Sequence, residues 1–218
     1  MDKLRLLFEK TGRAAYISHL DLMRTMQRAF LRAELPLKYS EGFNPHPQIS
    51  IALPLSVGTA SLCELMDFRA GDCEMITMAA RLTAALPEGI RVLRVYEPER
   101  KGKELKWLRI CGRFEYDAGQ SAETAAALEA FFAREQIIIL RRTKRGEGES
   151  DIRPAIRAFS AVSGPEAIEL DAVLSAQEPT LNPDLLVSAL GQLAPELVPD
   201  FARFTRVAVF DAEMRPFE

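Results

Sequence analysis

The order of strand-like and helix-like apolar patterns constrains the fold of this chain more than any other feature of its sequence. In residues 1–98 the patterns predict six elements: a strand at Leu4–Glu9, a helix from Ser18 to about Leu35, a strand at Leu37–Ser40 that resumes at Ile49–Leu53, a strand at Leu62–Arg69, a helix at Cys73–Leu86 and a strand at Ile90–Tyr96. The order β-α-β-β-α-β is the ferredoxin-like signature, in which two helices cover one face of an antiparallel sheet.

A charged stretch with one proline and one glycine, Glu97–Glu104, interrupts the pattern, and residues 99–104 are predicted to form a linker. The patterns beyond it predict a strand at Leu105–Tyr116, a helix at Ala122–Arg134, a strand at Ile137–Arg142, a polar turn at Lys144–Glu149, strands at Ile156–Val162 and Ile168–Leu174, a helix from Asn182 to about Leu193 and a closing strand at Phe204–Phe210. The sequence thus predicts an α+β fold of two tandem ferredoxin-like halves with antiparallel sheets, residues 1–98 and 105–218.

Composition narrows the functional classes. The chain has 28 lysines and arginines against 31 aspartates and glutamates, so it is neither a basic nucleic-acid coat nor an acidic tail. Its cysteines, Cys63, Cys73 and Cys111, are widely spaced and odd in number, which favours reduced thiols in a cytoplasmic protein and argues against a zinc or iron–sulfur site. The charged N-terminus and the lack of a long apolar run predict neither a signal peptide nor a membrane segment. We expect no cofactor.

One short polar loop is unusually stiff. The run E-G-F-N-P-H-P places Pro45 and Pro47 on either side of His46, and each proline fixes a backbone angle and extends the residue before it. Such stiffness is expected where the shape of a loop matters for recognition. The residues predicted to bind nucleic acid or a partner here are Lys38, Tyr39, Glu41, Phe43 and Asn44.

Two basic clusters extend this prediction. On the first helix, Arg24, Arg28 and Arg32 form a row on the polar side of the helical wheel, where they could face phosphates. A denser cluster in the second half consists of Arg141, Arg142, Lys144, Arg145, Arg153 and Arg157. Alternatively, the row is a solvated helix face, and the cluster is a hairpin tip paired with its own carboxylates at Glu147, Glu149 and Asp151.

The two histidines are the candidate catalytic residues. His19 follows the capping pair Ser18 and Asp21 at the positive end of the first helix, which favours the neutral imidazole of a general base. With His46 it could form the acid–base pair needed for metal-independent cleavage of RNA. A metal site built from these histidines with Asp21 and Glu41 has no recognised spacing, so no metal is expected. Without catalysis, His19 completes the cap and His46 is an exposed loop residue.

Long runs of the sequence resemble a bacterial family of unknown function. The radical SAM-associated, or radical SAM-linked, proteins are similar to this chain in L-R-L-L-F-E-K-T-G-R-A-A-Y-I-S-H-L-D-L-M-R-T-M-Q-R-A-F-L-R-A, in Y-S-E-G-F-N-P-H-P-Q-I-S-I-A-L-P-L-S-V-G, and in the later pieces D-I-R-P-A-I and N-P-D-L-L. Family members are fused to a radical SAM protein or encoded beside one, often near genes for an RNA-processing ribonuclease and a ribosomal protein. The resemblance implies a radical SAM partner, and this chain, without a cluster-binding C-x-x-x-C-x-x-C, would be the stand-alone member of the pair.

These observations leave three functions open. The leading hypothesis is a non-enzymatic accessory protein that binds RNA, or presents an RNA- or ribosome-linked substrate, to a radical SAM enzyme. The second is a metal-independent endoribonuclease using His19 and His46. Its architecture would be similar to that of the repeat-associated endoribonucleases of CRISPR systems, although their glycine-rich loop is absent between Ala194 and Phe210. The third is a scaffold that binds only the radical SAM enzyme, for which no salt-dependent RNA binding is expected.

Overall fold

The computed structural model describes residues 3–71, 73–119, 121–143 and 146–217, without the side chains of Arg142 and Thr143. The fold is mixed α+β, with four α-helices in these ranges, and the strand pairs recorded within them are antiparallel. The chain divides into two compact units, Met1–Glu104 with Phe217–Glu218 and Leu105–Pro216. None of the helices in the described ranges has the length and apolar character required to span a bilayer.

The first unit alternates strands and helices. Its elements are β1 (Leu4–Lys10), α1 (His19–Arg32), β2 (Ile49–Ile51), β3 (Ala60–Phe68), α2 (Met75–Ala85) and β4 (Ile90–Tyr96). The strands pair in the order β4-β1-β3-β2. The register of β1 on β3 places Leu4 opposite Phe68 and Lys10 opposite Ser61, so the last residues of β3 lie beside the first residues of β1.

One predicted strand of this unit is wrong. The segment Leu37–Ser40 is not a continuous strand, because Leu37 forms a single bridge with Ala70 and Tyr39 a single bridge with Pro47. Prolines lie on both sides of this pairing in the sequence, and a proline has no amide hydrogen to donate to a ladder. The result is a hairpin with irregular pairing that leads into β2.

Alternate residues of β1 face a core shared with both helices. The buried side chains of this core on β1, α1 and α2 are Leu4, Leu6, Phe8, Leu22, Met26, Ala29, Phe30, Met78 and Leu82. The ring of Phe30, near the end of α1, lies with its centroid 5.0 Å from that of Phe68 at the end of β3. Because strand side chains alternate, Arg5 points to the opposite face of the sheet, and it is also fully buried.

The second unit has one hairpin outside its main sheet. Its elements are β5 (Trp107–Glu115), α3 (Ala122–Phe132), β6 (Ile138–Thr143), β7 (Gly146–Asp151), β8 (Ile156–Ser163), β9 (Ile168–Ser175), α4 (Asp184–Leu193) and β10 (Phe201–Phe210). The strands β10-β5-β9-β8 pair in that order, whereas β6 and β7 form a separate two-stranded sheet.

Strand β7 corrects the predicted turn at Lys144–Glu149. Lys144 lies outside the described residues, but Gly146 to Glu149 belong to a strand that pairs with β6. Its glycines and glutamates have weak strand preference, and pairing with a β-branched neighbour overrides that preference. The predicted start of α4 is also shifted, since the helix begins at Asp184, whose N–H donates to Asn182 Oδ1 at 3.3 Å.

Gly89 is the glycine on which the first unit depends most. Its φ is +88°, and a Cβ at this position would lie 2.5 Å from Thr11 O and 2.9 Å from Ala14 Cβ. We expect Gly89→Ala to destabilise the chain by about 2 to 4 kcal/mol, from backbone strain and the clash together. Urea unfolding followed by circular dichroism measures the change.

Gly58 provides the matched control. Its φ is +91°, but the Cβ of an alanine there would meet only Tyr16 Cε1, at 3.8 Å, which is ordinary contact. Gly58→Ala is therefore expected to cost only the strain of the left-handed backbone, about 1 kcal/mol. Equal losses in the two variants would show that the contact with Thr11 is relieved by movement of the loop.

Candidate functional site

Residues Lys38–Gln48 form a backbone-paired hairpin, referred to below as the Lys38–Gln48 hairpin. Across it, Ser40 N–H donates to His46 O at 2.9 Å and Gln48 N–H donates to Lys38 O at 2.9 Å. Arg69, the residue after β3, joins both ends of the hairpin: its carbonyl accepts from Lys38 N–H at 2.9 Å, and its N–H donates to Gln48 O at 3.1 Å. The base of the hairpin is therefore held by the sheet.

The tip of the hairpin presents an aromatic side chain to solvent. Phe43 has a relative exposure of 112%, so its side chain is fully open to solvent, and Tyr39 on the same hairpin is 56% exposed. Glu41, Asn44 and His46 are also exposed. An aromatic side chain has few rotatable bonds and a large apolar face, so an exposed Phe43 is suited to stacking on a base or entering a partner's pocket.

A shallow cleft of about 410 Å³ lies at the base of the hairpin. Its lining residues, which come from the residue before β1, the hairpin, β2 and the end of β3, are Lys3, Gln48, Ile49, Ser50, Asp67, Phe68 and Arg69. The carboxylate of Asp67 accepts from Arg5 Nε at 2.6 Å and from Arg5 Nη2 at 3.1 Å. The ammonium of Lys3 lies 2.8 Å from the same carboxylate.

The ionisation of Asp67 follows from these contacts. Burial raises the pKa of Asp67, but the hydrogen bonds and charges of Arg5 and Lys3 outweigh burial and hold the pKa below its usual range. Asp67 is therefore ionised at neutral pH. Because Arg5 already neutralises it, Lys3 and Arg69 are surplus positive charge at the cleft.

His19 lies at the other end of α1. The predicted cap is confirmed, since Asp21 N–H donates to Ser18 Oγ at 3.2 Å and α1 begins at His19. This end of the helix is close to the last residue of β1, because Lys10 Nζ donates to Ala15 O at 3.0 Å, just before the helix. The His19 side chain is partly exposed.

The structure does not bring the two histidines together. The Lys38–Gln48 hairpin, which carries His46, follows the C-terminal end of α1 and is anchored at Arg69. From His19 to Arg32 the helix spans about 20 Å, at 1.5 Å per residue. In the described residues neither imidazole has a hydrogen-bond partner. The described residues thus show no contact between His19 and His46.

The predicted arginine row on α1 is largely engaged within the protein. Arg24 forms an ion pair with Asp21 at 3.0 Å. Arg32 donates through Nε, at 3.2 Å, and through Nη2 to Ala85 O, a carbonyl at the end of α2. Arg28 has no ionic partner in the part of the chain that the structure describes. A shallow cleft of about 320 Å³ beside it is lined by Thr25, Arg28, Arg32, Ala85, Leu86 and Pro87.

Two arginines of the predicted basic cluster in the second unit, Arg153 and Arg157, are engaged within the protein. Arg153 donates to Arg134 O and Ile156 O, at 3.0 and 2.6 Å, which is a structural role. Arg157 lies over the ring of Trp107, with Cζ 5.3 Å from the centroid. Arg141 is partly buried in β6, and only the backbone of Arg142 is described there. Lys144 and Arg145 lie outside the described residues.

The described side chains form no group with the composition of a metal site. In residues 3–71, 73–119, 121–143 and 146–217 no three His, Cys, Asp or Glu residues are grouped closely enough to hold a metal ion. His19, His46, Asp21 and Glu41 are therefore not such a group.

The sequence matches the model of one protein family over most of its length. Residues 3–183 match the model of a family described as an uncharacterized protein conserved in bacteria (DUF2344). The chain belongs to this family. The part that matches DUF2344 includes the Lys38–Gln48 hairpin and the cleft at its base. No curated protein matches the sequence.

Two solved structures align with this chain at low sequence identity, and one of them has a TM-score above 0.5. A chain in the crystal structure of a Cbf5-Nop10-Gar1 complex aligns with a TM-score of 0.51 and 9% identity, over 94% of this chain and 48% of the other. This chain thus spans about half the length of that relative, and the likeness concerns the mixed α+β fold alone. An unknown protein from Galdieria sulphuraria aligns with a TM-score of 0.27 and 11% identity, over 94% of this chain and 98% of the other.

The sequence prediction missed the charged residues at the base of the hairpin. Lys3 and Arg69 are far from the hairpin in the DUF2344 sequence and are brought to it by the pairing of β3 with β1 and β2. The strand pattern ending at Arg69 was the available signal. That pattern predicts a strand but not its register, and the register is what places the end of the strand beside Gln48 and Lys3.

Proposed function

We propose that this DUF2344 protein is a non-enzymatic accessory protein that binds single-stranded RNA at the Lys38–Gln48 hairpin and serves a radical SAM enzyme. We further propose that it consists of two tandem ferredoxin-like halves. The strand orders β4-β1-β3-β2 and β10-β5-β9-β8 support this assignment, because each is the order 4-1-3-2 when the four strands are numbered within their unit. The β6–β7 hairpin is then an insertion in the second half.

The observation that carries the RNA proposal is the exposed ring of Phe43 on a hairpin whose base is held by the sheet. Phe43 and Tyr39 expose aromatic rings near a cleft with surplus positive charge. Proteins that bind single-stranded nucleic acid combine such rings, on which bases stack, with basic side chains along the backbone path. A protein-docking surface would need only the ring, whereas the charge at the cleft favours an anionic polymer.

The accessory role has separate support. The resemblance to radical SAM-linked proteins supports a radical SAM enzyme as the partner, and the chain has no C-x-x-x-C-x-x-C motif of its own. His19 begins α1 and His46 lies in the hairpin that follows the other end of this helix, which weighs against RNA cleavage by this pair. We therefore expect bound RNA to stay intact, and the variant His19→Ala, which is outside the hairpin, to bind RNA as the unmodified protein does.

Fluorescence anisotropy with a labelled ten-nucleotide RNA of mixed sequence tests the proposal. The unmodified protein is expected to bind the RNA, with affinity that falls as KCl rises. Phe43→Ala is expected to weaken binding by roughly 5- to 150-fold, because stacking contributes about 1 to 3 kcal/mol per base. Ile76→Ala is the matched control, since Ile76 is 90% exposed on α2, outside the hairpin, and its loss should leave the affinity unchanged.

Two results would contradict the proposal. The absence of salt-dependent binding at low KCl would leave only a protein scaffold, and a fall in affinity equal for Phe43→Ala and Ile76→Ala would remove the hairpin from the site. The partner is tested by co-purification of a tagged form of the chain with a radical SAM protein from the same bacterium. If the two proteins do not co-purify, the proposed partnership is wrong, and RNA binding is still tested separately by fluorescence anisotropy.

A further inference from the structure

The cleft at the base of the hairpin has the chemistry of an anion site. Asp67, its one carboxylate, is held by two hydrogen bonds from the buried guanidinium of Arg5. Lys3 contacts the same carboxylate, and its side chain remains 47% exposed. Arg69 adds a second exposed cation to the lining. An anion entering the cleft thus meets two accessible cations and a carboxylate whose charge Arg5 already balances.

Arg69 is the best placed of these groups. Its backbone N–H and C=O are both hydrogen-bonded to the hairpin, so its Cα is fixed where β3 and the two ends of the hairpin meet. Its guanidinium has no hydrogen-bond or ion-pair partner in the described ranges of the chain. An exposed arginine on a fixed backbone, with its side-chain donors unused, suits a phosphate, which accepts two parallel N–H donors.

Neutral donors complete the lining. Ser50 is exposed on β2, and its hydroxyl is able to donate to a phosphate oxygen. Gln48 belongs to both the hairpin and the cleft, and its Nε2 donates to Tyr39 O at 3.3 Å. This hydrogen bond connects the cleft with the residue that carries one of the exposed rings. A strand of nucleic acid crossing Gln48 would thus place a phosphate at the cleft and bases along the hairpin.

We infer that this cleft is the phosphate subsite of the RNA surface: Arg69 and Lys3 contact a backbone phosphate of single-stranded RNA, with Ser50 as a neutral donor, while Tyr39 and Phe43 stack on adjacent bases. The inference rests on the proposed RNA binding. It assigns part of the salt dependence of that binding to the cleft at the base of the hairpin. The cleft is shallow and open, so it suits an internal phosphodiester of a passing strand.

The salt dependence of binding separates this subsite from the stacking residues. For single strands, the slope of log affinity against log salt changes by about 0.7 for each phosphate contact. Arg69→Gln is expected to weaken binding of the ten-nucleotide RNA about 3- to 10-fold at low KCl and to make the slope less negative by about 0.7. Lys3→Gln is expected to act in the same direction, and Arg69→Lys to keep the slope, whereas Phe43→Ala lowers the affinity with the slope unchanged.

Arg13→Gln is the control for charge alone, since Arg13 is exposed on the turn that precedes α1, at the other end of that helix from the hairpin. It should change neither affinity nor slope. A peptide nucleic acid of the same sequence, which has bases but no phosphates, provides a second control. Its binding is expected to be reduced by Phe43→Ala and to be the same for Arg69→Gln and the unmodified protein.

The outcomes distinguish the two proposals. If Arg69→Gln and Arg13→Gln behave alike while Phe43→Ala still weakens RNA binding, the phosphate subsite is wrong and the RNA-binding function stands. If the unmodified protein does not bind the RNA at low KCl, the proposed function is wrong and the subsite with it. If Arg69→Gln lowers the affinity for RNA and for the peptide nucleic acid equally, Arg69 acts through the shape of the hairpin, and the phosphate assignment is again overturned.

Discussion

Replacing Asp67 with alanine is expected to destabilise the folded chain by about 3 to 5 kcal/mol, because it leaves the guanidinium of Arg5 buried without its counterion. The Arg5 side chain is 0% exposed, and Asp67 binds it through Nε and Nη2. A charge in such a place is far costlier alone than paired. Urea unfolding followed by circular dichroism measures the loss as a lower midpoint.

The second unit provides a matched control. Arg109 on β5 and Asp171 on β9 form a pair with the same two-nitrogen contact, but the Arg109 side chain is 50% exposed. Asp171→Ala is therefore expected to have a much smaller effect, because water solvates the arginine left behind. The double variant Arg5→Met, Asp67→Leu should recover much of the loss seen in Asp67→Ala, since it removes both charges. Equal effects of Asp67→Ala and Asp171→Ala would mean that burial of Arg5 is not the cause.

The same pair makes stability depend on pH in a defined direction. The pKa of Asp67 is lower in the folded chain than its ordinary unfolded value of about 3.9. Its contribution to stability is therefore complete above that unfolded value, and it is lost as the pH falls through the folded pKa. The stability difference between the unmodified protein and Asp67→Asn should be constant near neutral pH and shrink below about pH 4.

Most of the first unit could be predicted because its signals are local. The Ser18 cap, the apolar spacing of α1 and the β-branched run of β4 each determine an element without reference to the rest of the chain. The second unit was less predictable where an element depends on its neighbour. Gly146–Asp151 has the composition of a turn and becomes a strand only because β6 pairs with it.

In the candidate site, too, local features were predictable from the sequence and features that depend on strand pairing were not. Two prolines and a glycine mark the hairpin in the sequence, and its polar and aromatic residues were predicted from that signal. Arg69 was missed because the hairpin reaches it only through strand pairing. The row on α1 shows what a helical wheel leaves out: it places Arg32 on the polar side, but it cannot show that the end of α2 supplies an acceptor at Ala85 O. Spacing along one helix predicts which residues share a face and not what that face meets.

Phe217 is expected to contribute nearly as much as Asp67 to the first unit. Its ring is 3% exposed, with the Cζ of Arg5 5.3 Å and the Cζ of Arg100 4.6 Å from its centroid. Phe217→Ala should destabilise the chain by about 3 kcal/mol, from lost burial and two cation–π contacts. Phe201→Ala is the control, because Phe201 has one such contact, with Arg203 at 4.8 Å, but is 45% exposed. A loss for Phe201→Ala as large as that for Phe217→Ala would contradict the argument.

The two large effects should not be additive, because Phe217 and Asp67 act on the same guanidinium. Asp67 neutralises the charge of Arg5, and the ring of Phe217 lies near that charge with its negative π face. Without Asp67, a buried Arg5 guanidinium has no counterion and is energetically unfavourable. Its position near the ring of Phe217 is then no longer fixed by an ion pair. A double-mutant cycle of Asp67→Ala and Phe217→Ala should therefore give an interaction energy of at least about 0.5 kcal/mol. Strict additivity would show that Phe217 is held by its apolar neighbours alone, and Phe217→Leu would then be as stable as the unmodified chain.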